Sequence, residues 1–337
     1  MRKIRCVRGN SRFSTKAFFH PDFLNKKNKI APLGRENILL DRKFRLFFEA
    51  YKNLDQQSKN EIYNLILFSN NIHQYFENLE IDVNSIRNKN INRILGNDTL
   101  KELMDALWES LKTNAWDIDK HYEEFFNRLP QTKTCPFCGI NQLPTNYRAD
   151  YDHIAAKSIY PISAICLKNI APSCSECNQK YKRDLDIFYE KVNDDSEIRR
   201  PFNYPYSSSL NIEVNFNGTI LPYTDINNFQ GEWKINISPD NQAVKTWNDI
   251  YKIKNRYIND VLKVDYDTWV GEFIQELKDH KININDCHQL KKYFIKHFIR
   301  YTKNKLQKRY ILKSALFKYF YKCDNVLFYN QLIQKIN

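Results

Sequence analysis

Glycine is scarce. The 337-residue chain holds seven, and no GxGxxG or GxxxxGK[ST] pattern occurs in it. Backbone cradles for nucleotide phosphates are built from such loops, so the common glycine-rich nucleotide sites are argued against. Long apolar runs are also missing: no stretch of eighteen apolar residues exists to suggest a transmembrane helix. The N-terminus lacks the hydrophobic centre of a secretory signal, and neither internal repeats nor low-complexity tracts are present. Cysteines are eight, at 6, 135, 138, 166, 174, 177, 287 and 323. Four of them form two tight pairs and four are scattered. A secreted disulfide framework would use them evenly in a small chain, so the pattern reads as a cytoplasmic protein with one metal site.

What is present is positive charge and apolar mass. Fifty-two Lys and Arg against 39 Asp and Glu leave a formal net charge of +13 and a pI of about 9.2. That balance points to a polyanionic partner, nucleic acid before membrane. A hydrophobic share of 42%, with 14% aromatic residues, marks a folded chain long enough for two or three domains. The first twenty residues, MRKIRCVRGNSRFSTKAFFH, contain no acid. They match an organellar transit peptide loosely and read rather as a strand or arm of the mature protein.

Four segments follow from the patterning. Residues 1–130 form a basic arm and then a helical domain, with Leu100, Leu103, Met104, Leu107 and Leu111 at helical spacing and Pro130 as a stop. Residues 131–192 hold the cysteine pairs. Residues 193–242 carry alternating fragments, LNIEVNF and WKINI, that read as short strands and loops. Residues 243–337 return to basic helices. The fold class expected is α+β, a small central module between predominantly helical flanks.

Cys135 and Cys138 flank Pro-Phe, and Cys174 and Cys177 flank Ser-Glu. Two such knuckles supply four thiolates, a set suited to tetrahedral Zn²⁺. A saturated four-thiolate site leaves no position for water, so its role is structural and any chemistry must come from the insert between the pairs. That insert offers Asp150, Asp152, His153 and Asn169, and Asn178 follows the last cysteine. Carboxylate and amide oxygens suit Mg²⁺ or Mn²⁺, and a histidine can take a proton from water near neutral pH. Together they are sufficient for metal-assisted phosphodiester hydrolysis.

The stretches CPFCG, YDHIAAKSIYP, LKNIAPSCSECN and QKYK together resemble the HNH (ββα-metal) endonucleases, in the subgroup with a four-cysteine zinc site. The resemblance covers roughly residues 132–186. It implies a strand carrying Asp152 and His153, a loop, a second strand around 169–171, and a helix beginning near Cys174. It implies His153 as general base, Asn169 as the residue that holds the loop and the base, and Asp152 and Asn178 as ligands of the catalytic metal. Ala156 stands where members often carry a proline that stiffens the loop. Products with 5′-phosphate and 3′-hydroxyl ends are implied, and a double-strand break would need a homodimer or two successive nicks.

Cys174, Asn178 and Lys182 are spaced by four and share one helix face, which would place Lys182 toward a phosphate. Lys180 reads as a solvated charge, and Asp150 as either a supporting or an exposed residue. Adjacent strand residues point to opposite faces, so Asp152 and His153 serve one site only if the strand ends or twists there. Cys166 reads as apolar packing, and His121, His280, His288 and His297 as surface or core residues. Between Cys287 and Cys323 lie eleven Lys or Arg, no acid, and nine Tyr or Phe. Leu290, Tyr293, Phe294, His297, Phe298 and Tyr301 form a packed stripe, while Lys292, Lys296 and Arg300 lie opposite, facing either DNA phosphates or an acidic partner. The function expected is a DNA endonuclease, the effector of an antiphage defence or restriction system that a regulatory or targeting protein controls. A mobile-element nuclease and a non-catalytic zinc-knuckle DNA-binding protein are the alternatives.

Overall fold

A computed structural model describes residues 7–14, 35–76, 78–111, 118–127, 134–144, 150–194, 196–206, 212–222, 231–282, 287–303, 309–324 and 326–336. Most of the basic arm, Cys6 and the Pro130 stop lie outside them, as do the side chains of Leu111 and Cys287. The fold is α+β, mostly helical, with three two-stranded antiparallel sheets among the described residues. No helix there is long and apolar enough to cross a membrane. The chain divides into two compact units, Met1–Arg128 with Asn146–Pro205, and Leu129–Thr145 with Tyr206–Asn337.

In the first unit, helices α1 (Arg35–Lys52), α2 (Gln56–Ser69), α3 (Asn88–Leu95), α4 (Thr99–Leu111) and α5 (Ile118–Asn127) precede the first strand. Helix α1 packs along α4. Phe44, Phe47, Phe48 and Tyr51 are buried on the one, and Leu100, Leu103, Met104 and Leu107 on the other, as the three-and-four spacing requires. Each such side chain contributes about 1.5–3 kcal/mol by leaving water. Local signals set the ends. Asp55 caps α2 by accepting the Ser58 N–H at 2.7 Å. Helix α3 stops at Gly96, whose φ of +73° favours a residue without Cβ.

Strand β1 (Tyr151–His153) pairs antiparallel with β2 (Ile170–Pro172), setting Asp152 opposite Ala171 and His153 opposite Ile170. A seven-residue helix, Glu176–Lys182, follows. It is wound as a π-helix rather than an α-helix. Helix α4 lies against the turn Pro161–Ser163 of the β1–β2 loop, so helices from residues 1–130 and both strands of the expected module belong to one unit. A further hairpin, β3 (Tyr189–Asn193) with β4 (Ser196–Arg199), closes this unit.

The second unit contains the first cysteine knuckle and the pair β5 (Glu213–Asn215) and β6 (Asn236–Ser238), which overlap the two alternating fragments of 193–242. Helices α6 (Gln242–Tyr251) and α7 (Ile253–Arg256), a π-helix Tyr257–Leu262, and α8 (Lys263–Asp279), α9 (Cys287–Thr302), α10 (Tyr310–Lys322) and α11 (Val326–Ile336) complete it. Its core is aromatic: Phe273, Phe294, Phe317, Phe320 and Phe328 are buried, with Phe273 and Phe294 stacked at 5.1 Å between centroids.

Candidate active site and metal centre

The first knuckle is shaped by its backbone. Gly139 adopts φ +65° and donates its N–H to the Cys135 carbonyl at 2.9 Å. The Ile140 N–H points at the Cys138 sulfur at 3.4 Å. Trp247 Nε1 donates to the Phe137 carbonyl at 2.6 Å and the Tyr257 hydroxyl to that of Cys138 at 3.0 Å, clamping the turn from both sides. Cys135, Cys138, Cys174 and Cys177 are all buried, and their sulfur atoms lie within 4.8 Å of one another. Tetrahedral zinc–thiolate geometry asks for sulfurs about 3.8 Å apart. The group thus has the ligand type and spacing to hold a metal ion such as zinc.

The insert forms a second centre, wholly within the first unit. A cavity of about 280 Å³ is lined by Asp152, His153, Asn178, Lys182 and Arg183 together with Lys101, Asp105 and Lys157. Asp152 and His153 both reach it because β1 ends at His153, which removes the opposite-face constraint of a continuing strand. The loop after β1 is held by Asn169. Its Nδ2 donates to the carbonyls of Ala155 and Ser163, both at 3.1 Å, and its Oδ1 accepts the Ala155 N–H at 2.8 Å. The Ala156 carbonyl accepts N–H groups from Ile159 and Tyr160 and closes the turn.

That loop delivers the Ala164 carbonyl to His153 Nε2 at 2.9 Å. A carbonyl only accepts, so Nε2 carries the proton and Nδ1 keeps its lone pair. Trp108 of α4 meets the imidazole edge-on, with centroids 4.3 Å apart. Burial pushes the His153 pKa down to about 3, reinforced by Lys182 and Lys157 and opposed by the Ala164 hydrogen bond. The ring is therefore neutral at physiological pH. An anion entering the cavity would raise its proton affinity toward the working range of a base.

Asp152 is as buried as its neighbour. Desolvation raises its pKa to about 6, against the opposing pull of Lys182, whose Nζ lies 2.9 Å from Oδ1. Its other oxygen, Oδ2, has no hydrogen-bond partner among the described residues. A buried carboxylate oxygen left open beside a cavity fits a hard cation. Asn178 suits the same ion: its Nδ2 is directed at the Tyr151 carbonyl, 3.5 Å away, leaving the amide oxygen for a ligand.

Lys182, expected to reach toward a phosphate, is instead fully buried, its ammonium spent on Asp152. Winding the segment as a π-helix swings it inward. Lys292, Lys296 and Arg300 are exposed on α9 as expected, opposite the buried Leu290, Phe294, His297 and Tyr301. Lys296 and Arg300 flank Glu276 at 3.5 and 3.9 Å. Asp150 is exposed and accepts from Gln179, and Lys180 is exposed over the Tyr181 ring. Cys166 is half-buried against the Asn70 carbonyl, and His121 bonds the Tyr151 hydroxyl.

Spacing gave no warning of the α4 wall. Lys101 and Asp105 line the cavity and Trp108 meets His153 behind it, the three standing at i, i+4 and i+7 along the flank of the core stripe, and Asp105 binds Lys157 at 2.7 Å and Lys101 at 3.1 Å. Burial raises the Asp105 carboxyl, but its hydrogen bonds from Lys157 and Lys101 outweigh that and hold it below the usual carboxylate range. Comparison of the chain with known families, characterised proteins and solved structures gives no match.

Proposed function

We propose that this chain is a metal-dependent DNA endonuclease of the HNH type. The observation that carries the reading is the cavity wall itself. An imidazole with its Nε2 proton committed to the Ala164 carbonyl and a carboxylate with one open oxygen face the same space, beside an amide from the following helix. His153 takes a proton from water at Nδ1 as that water attacks phosphorus. Asn169 fixes the loop whose carbonyl sets the tautomer. Asp152 and Asn178 would hold a divalent cation such as Mg²⁺ or Mn²⁺, which supplies positive charge for the phosphate and the departing 3′ oxygen. The four cysteines hold a structural Zn²⁺ in this reading, and the exposed cations of α9 meet duplex phosphates. Service as the effector of an antiphage or restriction system, under a regulatory partner, is the biological setting we favour over a mobile element.

One observation favours a second reading. Lys182 already neutralises Asp152, so a non-catalytic zinc-knuckle DNA-binding protein could keep the same fold without a divalent ion. Supercoiled plasmid incubated with protein and Mg²⁺ or Mn²⁺ separates the two. The parent should nick it, and His153→Ala should cut more slowly by a factor on the order of 10² or more under single-turnover conditions, with little change in DNA affinity. Equal rates for parent and variant would refute His153 as the base.

A further inference from the structure

Arg183 sits in a backbone conformation that its side chain does not favour. Its φ of 49° and ψ of −120° place it second in a four-residue turn closed by the Leu185 N–H on the Lys182 carbonyl at 2.9 Å. These are the angles of a type II′ turn, whose second residue is normally glycine. Lys252 and Arg309, at ψ values of 42° and 8°, occupy the ordinary left-handed helical region. The turn at Arg183 is different, and its surroundings enforce it. Lys182 is anchored on Asp152, Arg183 donates its own N–H to the Asn178 carbonyl at 2.9 Å, and Asp186 is gripped by the Tyr160 hydroxyl and by Arg87. A non-glycine residue maintained in such a turn beside a cavity is a functional signal.

The cations of that cavity are unevenly committed. Lys101 and Lys157 share Asp105, and Lys182 holds Asp152. Arg183 is exposed and pairs with no carboxylate among the described residues. Of its side-chain nitrogens, Nε is engaged there, donating to the Gln179 carbonyl at 3.2 Å. That bond orients the guanidinium and leaves both terminal nitrogens for an anion, the fork that meets two phosphate oxygens at once. The π-winding of Glu176–Lys182 produces this division of labour, turning Lys182 inward and bringing Arg183 to the mouth.

Resting on the nuclease reading of the cavity, we infer that Arg183 binds a backbone phosphate of DNA at the mouth and seats it against His153, Asp152 and Asn178. The arginine is a phosphate-binding residue of the substrate site, and the turn strain is the cost of placing it there.

Three variants test this. Arg183→Gly removes the guanidinium and suits the turn, Arg183→Gln removes the charge at similar length, and Arg183→Lys keeps the charge without the fork. Affinity for a short labelled duplex is read by fluorescence anisotropy with Mg²⁺ in a His153→Ala background, alongside melting temperature and plasmid-cleavage kinetics in the parent background. Arg183→Gly should melt higher than the parent yet bind duplex on the order of tenfold more weakly. Gln should show the same loss of affinity, and Lys should recover part of it. KM should rise while kcat stays within a few-fold, the signature of lost ground-state binding. Gly and Gln variants that bind duplex like the parent would overturn the assignment. A parent that cuts no DNA, while Gly and Gln still lose affinity, would overturn the nuclease reading and retain Arg183 as the phosphate-binding residue.

Discussion

Replacing Lys182 by Met probes the most deeply buried charge pair of the candidate site. The Lys182 and Asp152 side chains are 1% and 2% exposed, with Nζ and Oδ1 2.9 Å apart. Methionine matches the length of the lysine stem and deletes the ammonium, leaving a carboxylate in a dry environment. Removing one partner of such a pair costs about 3–5 kcal/mol. For a domain of this size each kcal/mol moves the melting temperature by about 2–4 °C, so the variant should melt roughly 6–20 °C below the parent at pH 7. The deficit should shrink as pH falls. Asp152 already titrates near 6 in the fold, above its unfolded value of 3.8, and without the ammonium it is driven higher. A carboxyl with a raised folded pKa binds more protons folded than unfolded, so stability is present at low pH and lost as pH rises through that window. Asp152→Asn introduced into Lys182→Met should recover most of the loss, because no buried charge remains. Mg²⁺ should raise the melting temperature of Lys182→Met more than that of the parent, since the ammonium no longer competes for the carboxylate. Calorimetry or circular dichroism at several pH values reads all of these proteins. A Lys182→Met variant melting within about 2 °C of the parent at pH 7 would refute the buried pair.

Cys177→Ser should destabilise the zinc centre and lower the metal content measured by elemental analysis, because structural zinc contributes folding free energy directly; active soluble protein devoid of zinc would contradict that role. Asn169→Ala should cost roughly 3 kcal/mol or more in denaturant unfolding, as it strands an N–H and two carbonyls of the loop. An unchanged denaturation midpoint would show that the loop is held by other means. Neutralising Lys292, Lys296 and Arg300 together should weaken duplex binding for all sequences. It should also reduce the slope of log affinity against log salt by roughly 0.9 for each phosphate no longer neutralised. An unchanged slope would take this face of α9 out of the DNA interface and leave it to a protein partner.

The parts of the fold legible beforehand are those whose signal is local. The spacing of Leu100, Leu103, Met104 and Leu107 specifies the buried stripe of α4, and the alternation in LNIEVNF and WKINI marks β5 and β6. Paired cysteines announce their cluster because a turn of fixed shape needs two residues between ligands. Three things were not legible. Asp105 lines the cavity, and Trp108 meets the His153 ring, only because α4 packs on the β1–β2 loop, and a contact across 45 or more residues leaves no periodicity behind. Spacing by four suits an α-turn and a π-turn nearly equally, so the inward swing of Lys182 was hidden. The turn at Arg183 carries an arginine where the conformation favours glycine, so residue type argued against the structure that forms. Of the β3–β4 hairpin only β4 lies in the segment read as short strands and loops, although Asp194 is an ordinary turn signal between the two strands.

The edge-on contact between Trp108 and His153 gives the candidate base an optical neighbour. An excited indole transfers an electron readily to an adjacent imidazolium and poorly to neutral imidazole. While His153 is neutral, Trp108 should emit; when the ring takes up a proton, that emission should dim. The chain has five tryptophans, so a variant retaining Trp108 alone would isolate the signal. Rapid mixing of that variant with plasmid and Mg²⁺ would then follow proton uptake at one named nitrogen by light, without any label attached to protein or DNA.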